Sequence, residues 1–420
     1  MRTGLRCWVF GLCMGWTSSI ATAAPVTIEV SYSSGAYTDV LVESARQFEA
    51  AHPDIRIVYR APVVATYDEL LQSTLRSAIT GSLADLSLEG NQNVGILAGR
   101  RIPIALDDLI AAESDWGGMG YAPAIADVGR VGGKVYALAY ATSVPTIYLN
   151  VDLLRRAGVD IDRLPTGWKG LIEAARKVQA LGGGTVGGLF DYNATGNWTF
   201  QALVTSQGGQ ILSEDGTDIA FDGPEGLRAL EILHDFGAAG TVDMTQSQML
   251  QAFAAGTVGI FASYSAATGQ IERQIDGKFA FRAAPWPILS AEGRIPAGGR
   301  AAMIYAAAPD KRQAAWQYVK FLTGPIGQSI LVKGVGAVPV NELAVSDRSL
   351  LGGFYEAHPN QKAALQAVPR LTRWLTYPGP NPVKVSEIVR EHLRRVLIKH
   401  EDPATVLADI VRDVRPLLAR

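Results

Sequence analysis

Two hydrophobic periods alternate along residues 26–89, and that alternation narrows the folds open to the chain more than any other feature. Residues 26–31 (VTIEVS) are β-branched at period two, which suits a strand, and small residues at 32–36 break it. Val40, Leu41, Ala45, Phe48 and Ala51 then recur near the spacing of a helix, and His52-Pro53 stops it before a second strand at 55–59. A further amphipathic helix is predicted at 67–79, and a short buried strand at 84–88 ends at Glu89. Strands and helices in this order specify an α/β unit with a largely parallel sheet.

The same texture returns further along with its own punctuation. Residues 134–141 and 146–150 read as strands, with Ser143 and Pro145 between them where the chain can change lobes. Helices are predicted at 168–181, closed by Gly182, Gly183 and Gly184, and at 224–236 and 246–255, followed by a strand at 258–263. Another helix at 309–323 stops at Gly324-Pro325, and the tail is helical over 386–399 and 403–418. No internal repeat and no low-complexity linker interrupts this pattern. Two lobes must therefore share chain crossings.

The amino terminus reads differently. Arg2 and Arg6 flank the start of an apolar run at 7–16 (CWVFGLCMGW), which is far shorter than the ~20 residues of a bilayer span. Ala21, Thr22 and Ala23 supply an A-x-A site, so a cleavable secretory signal peptide is expected over 1–23; a buried N-terminal helix is the alternative. Cys13 follows Leu12 where a lipoprotein signal has a small residue, which disfavours lipidation. Both cysteines, Cys7 and Cys13, fall in this segment, so the exported chain is expected to carry no disulfide and no cysteine-bound metal. Stability must then come from the core, and a chain of this length fills two lobes of ordinary size. Hydrophobic content of 48% with 19% charged residues fits a globular protein. Without Arg2 and Arg6, 36 Lys and Arg stand against 40 Asp and Glu, and no basic block argues for nucleic acid or an anionic membrane as partner.

Several segments taken together resemble the family 1 extracellular solute-binding proteins, and within them the glycerol-3-phosphate and glycerophosphodiester-binding branch. VTIEVSYSSG, a helix and HPDIRIVY are similar to the family's opening. GKVYALAYATSVPTIYLNVDLLRRAGVD resembles its central signature, a strand-turn-strand ending in Tyr-x-Asn and then Ala-Gly, and is the most specific match. FAAGTVGIFASYSA, AGGRAAMIYA, AWQYVKFLTGP and GVGAVPVNE follow in the family's order.

The resemblance implies a two-lobed α/β periplasmic-binding-protein fold of type II, with a ligand cleft between lobes joined by hinge crossings. It assigns residues 24–139 plus 287–328 to the first lobe and 140–286 plus 329–420 to the second. It implies a periplasmic, monomeric component of an ABC importer, without cofactor, that captures a small polar solute of glycerol-3-phosphate, glycerophosphodiester or sugar type. The solute would pass to the transmembrane subunits of a permease. Carried over position by position, the branch's ligand contacts fall on Tyr67 in ATYDELL, Glu89, Ser143, Ser33, Ser265 in ASYSAATG and Gly299 in AGGR, with Trp198 in NATGNWTF as the aromatic platform.

Each position also has a plainer reading. Tyr67 packs on its own lobe, Glu89 pairs with a neighbouring cation, and the three serines hold local turns. Trp198 is as well explained by a core as by a cleft, because a large aromatic side chain in a Gly/Asn-rich loop needs cover. Gly298 and Gly299 form a turn in either case. Two departures from the branch bear on the ligand. Ala337 stands where the branch has Tyr before Leu-Pro, and no Arg lies between Arg373 and Arg390, Lys384 being the nearest cation. Arg300 is a candidate substitute for that arginine; its ordinary reading is a solvent-facing side chain beside a turn. Lys cannot reproduce the planar donor fork with which Arg holds phosphate.

Enzyme chemistry finds less support. His52, His234, His358, His392 and His400 are scattered without zinc-ligand spacing, and neither a G-x-S-x-G elbow nor a P-loop occurs. A secreted glycoside hydrolase working through two carboxylates is the alternative that composition leaves open.

Overall fold

The computed structural model describes residues 24–33, 37–60, 66–379 and 381–418; the expected signal peptide lies outside them. Strand β1 (Val26–Tyr32), helix α1 (Thr38–Ala51), strand β2 (Ile55–Tyr59), helix α2 (Tyr67–Thr80) and strand β3 (Leu86–Gly90) follow in the predicted order. β1 pairs in parallel with β2 on one side and β3 on the other, setting Ile28 opposite Ile57 and Val30 opposite Leu86. Parallel pairing follows from the helical crossover between successive strands. Ile28, Val30, Leu86 and Leu88 are fully buried, and Phe48 of α1 closes this core against Tyr318, ring centroids 4.8 Å apart.

Strand β4 (Leu138–Ser143) belongs to the same sheet, and a single residue, Val144, separates it from β5 (Pro145–Asn150) in a second sheet. That sheet is completed by β6 (Val186–Phe190), β7 (Val258–Tyr264) and β8 (Phe281–Pro285) in the order β8-β5-β7-β6, with β6 and β7 parallel. Helices α3 (Trp168–Gln179), α4 (Trp198–Thr205), α5 (Pro224–Gly237), α6 (Gln246–Ala254) and α7 (Thr268–Ile275) belong to this lobe. Strand β9 (Gly298–Ile304) then returns to the first sheet, antiparallel between β3 and β4, and gives the order β2-β1-β3-β9-β4. Helices α8 (Pro309–Thr323) and α9 (Pro325–Val335) contribute Trp316, Tyr318 and Leu331 to the first core. Helices α10 (Pro382–Leu397) and α11 (Pro403–Leu418) contribute Val389, Leu393 and Ile410 to the second.

The chain passes between lobes three times, each time downstream of the expected boundaries. β4 keeps its pairing in the first sheet through Ser143, which lies opposite Gly298. Trp286, Ile295 and Ala297 remain in the second core, so the return falls at Gly298. Ala337 still packs in the first core while Val338 packs in the second, and the Val338 N–H donates to the Thr142 carbonyl at 2.8 Å. The three passages thus lie side by side.

Local readings differ at three places. The strand expected at 134–141 is two pieces: Lys134–Val135 pairs with Arg130–Val131, and β4 starts at Leu138. Gly324-Pro325 ends α8 and also opens α9, because extended backbone at Gly324 leads into a proline at the first helical position, where its missing N–H has no bond to lose. Trp198, read as lying in a loop, begins α4 after Gly196 and Asn197 turn through positive φ of 62° and 56°.

β9 sits unusually close to β4. Gly299 has φ +106°, and a Cβ there would lie 1.8 Å from the Ala141 carbonyl oxygen. Gly299→Ala therefore meets backbone strain and a contact that cannot be relieved by a side-chain move. It is expected to cost about 2–4 kcal/mol, read as a lowered midpoint in urea denaturation with an unchanged slope.

Candidate functional site

β4 ends, β7 ends and β9 begins in one place, and the first turns of α1 and α2 face it. Between them lies a cavity of about 320 Å³ walled by Tyr37, Tyr67, Trp198, Tyr264 and Trp374, with Ser143, Thr195, Gln246, Gln270, Gly298 and Gly299 among its other lining residues. Both lobes contribute. Among the described residues no charged side chain lines it.

Each wall has a local cause. Tyr67 is the first residue of α2, and a reciprocal cap fixes that turn: the Glu69 N–H donates to the Thr66 hydroxyl at 3.2 Å, and the Thr66 N–H donates to the Glu69 carboxylate at 3.0 Å. Asn93 donates to the Tyr67 carbonyl at 3.1 Å. Trp198 is anchored through its Nε1–H, which donates to the Pro296 carbonyl at 3.0 Å, and its ring lies over Gly298, where a Cβ would approach it to 2.8 Å. Trp374 stands beside it, ring centroids 6.1 Å apart.

Two serines fasten the first crossing. The Val144 N–H donates to Ser265 Oγ at 3.0 Å, the Ala266 N–H donates to Ser143 Oγ at 3.4 Å, and the two hydroxyls are 3.4 Å apart. Ser143 still borders the cavity, whereas Ser265 is buried behind its wall.

Of the residues expected at the site, Tyr67, Ser143, Trp198 and Gly299 come together on the wall. Four stand off it, each for a physical reason. Ser33 is buried, and its carbonyl accepts from Arg300 Nη1 at 3.1 Å. Arg300 does not face solvent: it is 4% exposed, with its guanidinium carbon 4.1 Å from the Tyr37 ring centroid and 5.2 Å from that of Tyr67. The cation thus lies behind two tyrosines of the wall and supports them. Ser265 is spent on the crossing. Glu89 is fully buried within the first lobe and accepts from Thr74 at 2.6 Å, Ser87 at 3.1 Å and Asn93 at 3.4 Å. Burial raises its carboxyl above the ordinary range, and internal hydroxyl and amide donors occupy it.

Sequence reasoning missed Tyr37, Gln246, Tyr264 and Trp374. Tyr264 adjoins the Ser265 that was singled out, one position away on the opposite face of the strand end. Trp374 offered the same signal as Trp198, a large aromatic residue in an irregular segment. Gln246 carried no signal. It is held by Asp191, whose Oδ2 accepts from Gln246 Nε2 at 2.6 Å and from the Ser263 hydroxyl at 3.4 Å. Asp191 is fully buried, and burial pushes its carboxyl up to about 6 despite those two donors. Tyr264 is likewise pushed up to about 12, first by burial and then by the Asp191 charge.

Two α/β lobes joined by three adjacent passages, with a cavity at the passages, define a two-lobed solute-binding protein. A family model described as bacterial extracellular solute-binding protein matches residues 31–329, and the chain belongs to that family. It is 23% identical over 395 residues, 89% of each chain, to the sn-glycerol-3-phosphate-binding periplasmic protein UgpB of Rhizobium meliloti. It is 22% identical, over 98% of this chain and 95% of the relative, to the protein of that name from Escherichia coli. Among solved structures, UgpB of Mycobacterium tuberculosis in complex with glycerophosphocholine matches with TM-score 0.77 and 20% identity over 94% of this chain and 99% of that one. The sugar-binding protein MalE of Xanthomonas citri matches with TM-score 0.79 and 17% identity over 94% and 97%. The chain is thus the solute-capturing part of an ABC importer and works with permease subunits.

Asp191 makes stability depend on pH. Its raised carboxyl means that the native state holds the proton more tightly than the unfolded chain, so stability falls as pH climbs from about 4 to about 6 and levels off above. Asp191→Asn removes that slope. Denaturation of both proteins across this window should show the variant gaining on the wild type by up to about 3 kcal/mol, whereas parallel curves would exclude a buried titrating Asp191.

Proposed function

We propose that the protein is a periplasmic, monomeric, non-catalytic receptor for a neutral carbohydrate, exported through a cleaved segment at 1–23. The observation that carries the ligand class is the cavity wall: five aromatic side chains, hydroxyl and amide groups, and no charge among the described residues. Aromatic surfaces cover the C–H faces of a sugar ring, while amides and hydroxyls replace the water on its edges. A phosphate in the same place would lack the cationic donors that offset its desolvation. Arg300 does not supply them, because Tyr37 and Tyr67 lie against its guanidinium. Ala337, standing where the glycerol-phosphate branch has Tyr, is buried in the first core, and Tyr264 and Trp374 furnish aromatic walls instead.

One observation favours a second reading. Arg390 lies beside a neighbouring chamber, where it offers a cation to a phosphodiester whose headgroup occupies the aromatic cavity. The relatives named for glycerol 3-phosphate and glycerophosphocholine support that alternative.

A thermal-shift panel separates them. Trehalose, maltose or sucrose should raise the melting temperature saturably, with about 2.7 kcal/mol of added stability at a hundredfold excess over Kd, while glycerol 3-phosphate and glycerophosphocholine should not. The reverse pattern would establish the phosphodiester reading. Trp374→Ala should weaken the active sugar by roughly tenfold or more in tryptophan-fluorescence titrations, and no product should form during incubation.

A further inference from the structure

Gln246 lines the aromatic cavity and also borders an outer chamber beside Tyr192, Asp243 and Arg390. It is the first residue of α6, and a reciprocal cap fixes that turn as one does for Tyr67. The Gln248 N–H donates to the Thr245 hydroxyl at 3.3 Å, and the Thr245 N–H donates to Gln248 Oε1 at 2.9 Å. The Asn193 Nδ2–H donates to the Met244 carbonyl at 2.9 Å and ties this turn to the segment that follows β6.

A glutamine amide has a donor end and an acceptor end, and its neighbours decide which of them a ligand meets. The donor end of Gln246 is turned to Asp191, at 2.6 Å. Its Oε1 accepts from no described residue and is not sealed in the interior. The acceptor end is thus the one left for a guest. Asp191 cannot swing away: its N–H donates to the Ala262 carbonyl at 2.9 Å, its own carbonyl accepts from the Thr199 hydroxyl at 2.6 Å, and it is fully buried. Asp191 Oδ1 has no hydrogen-bond partner among the described residues. A proton on the carboxyl therefore has two poor seats. On Oδ1 it finds no acceptor, and on Oδ2 it meets the donor end of Gln246. Either way the amide is held less firmly, because a charge-assisted hydrogen bond is roughly twice as strong as a neutral one.

We propose that Asp191 is a positioning residue for solute capture: its carboxylate turns the Gln246 carbonyl toward the cavity to accept from a ligand hydroxyl, and capture releases the carboxyl proton to solvent. A hydroxyl donated to Oε1 polarises the amide and strengthens its bond to the carboxylate, so the ligand prefers the ionised form. Asp191 is already out of water, and an incoming guest adds little desolvation to oppose this. With the carboxyl of the free protein at about 6, affinity is full above that pH and falls as pH drops below it. Ser263 and Tyr264 of β7, Gln246 of α6 and Thr199 of α4 surround Asp191, and of these Tyr264, pushed up to about 12, stays neutral throughout. On the outer side of Gln246, beside Arg390, Asp243 is held low by the Tyr192 hydroxyl and by Arg394 and stays ionised. The inference rests on the cavity being the ligand site, and not on which hydroxyl-bearing solute fills it.

Calorimetric titration of the full protein with trehalose, maltose, sucrose and glycerophosphocholine tests this, since none of these probes changes charge between about pH 4.5 and about pH 7.5. The probe that binds should do so about fivefold more weakly at about pH 4.5 than at about pH 7.5. Near about pH 6, heats in buffers of unlike ionisation enthalpy should show protons released on binding. Asp191→Asn, whose neutral amide oxygen still accepts from Gln246, should bind at every pH as the wild type binds at about pH 4.5. Gln246→Ala, at a half-buried position, should remove the pH step with Asp191 in place. Equal affinity at both pH values, or a step that persists in either variant, overturns the role of Asp191 and leaves the ligand class untouched. Binding of glycerophosphocholine without any saccharide overturns the carbohydrate reading alone, and the pH step of glycerophosphocholine then decides the role of Asp191.

Discussion

The approach of β9 to β4 governs where everything else in the cleft can be. Gly299 lets its backbone come against the Ala141 carbonyl, and the register between the two strands shifts immediately afterwards, between Arg300 and Ala301. With β9 seated this closely, Arg300 is driven under Tyr37 and Tyr67, and Gly298 presents a bare backbone surface to Trp198. A bulkier residue at either glycine would lift the strand and with it the floor on which three aromatic walls rest. The cavity is thus a product of main-chain packing first and of side-chain chemistry second.

Charge is handled in the opposite way from what a pocket for an ion would need. Around the cavity, among the described residues, three acidic or basic side chains, Arg300, Glu89 and Asp191, are buried and none of them lines it. Arg300 is covered by two rings and holds the Ser33 carbonyl. Glu89 and Asp191 are surrounded by hydroxyl and amide donors, and burial raises both carboxyls toward neutrality. Each sits behind a wall residue or beside its support: Arg300 behind Tyr67, Glu89 sharing Asn93 with the Tyr67 carbonyl, Asp191 holding Gln246. These groups therefore set the position of the uncharged side chains that line the cavity.

Much of this fold was legible in the residues. Period-two runs and helical stripes marked the βαβ start, and Ser143 with Pro145 marked the break between β4 and β5, because small polar residues and proline interrupt a strand whatever surrounds them. Helix α4 was not legible, since Gly196 and Asn197 read as loop and only the packed structure makes their positive φ a helix entrance. Of the positions that the resemblance in sequence supplied, Tyr67, Ser143, Trp198 and Gly299 line the cavity, since such a resemblance preserves backbone position. The same resemblance could not tell a side chain on the wall from one behind it, and Ser33, Glu89, Ser265 and Arg300 fall on the far side for that reason. Gln246 and Trp374 come from segments remote in the chain that meet only when the lobes are assembled, so no local pattern announces them.

The three passages between the lobes run next to one another along one edge of the cavity, at Val144, Gly298 and Val338. A guest seated there occupies the fulcrum of the molecule. Small rotations about that edge hardly alter the distances around the guest, yet they sweep the far rims of both lobes through a much wider arc. A handful of contacts at the pivot is thereby converted by leverage into a change of outline at the periphery, where a membrane-embedded neighbour would feel it.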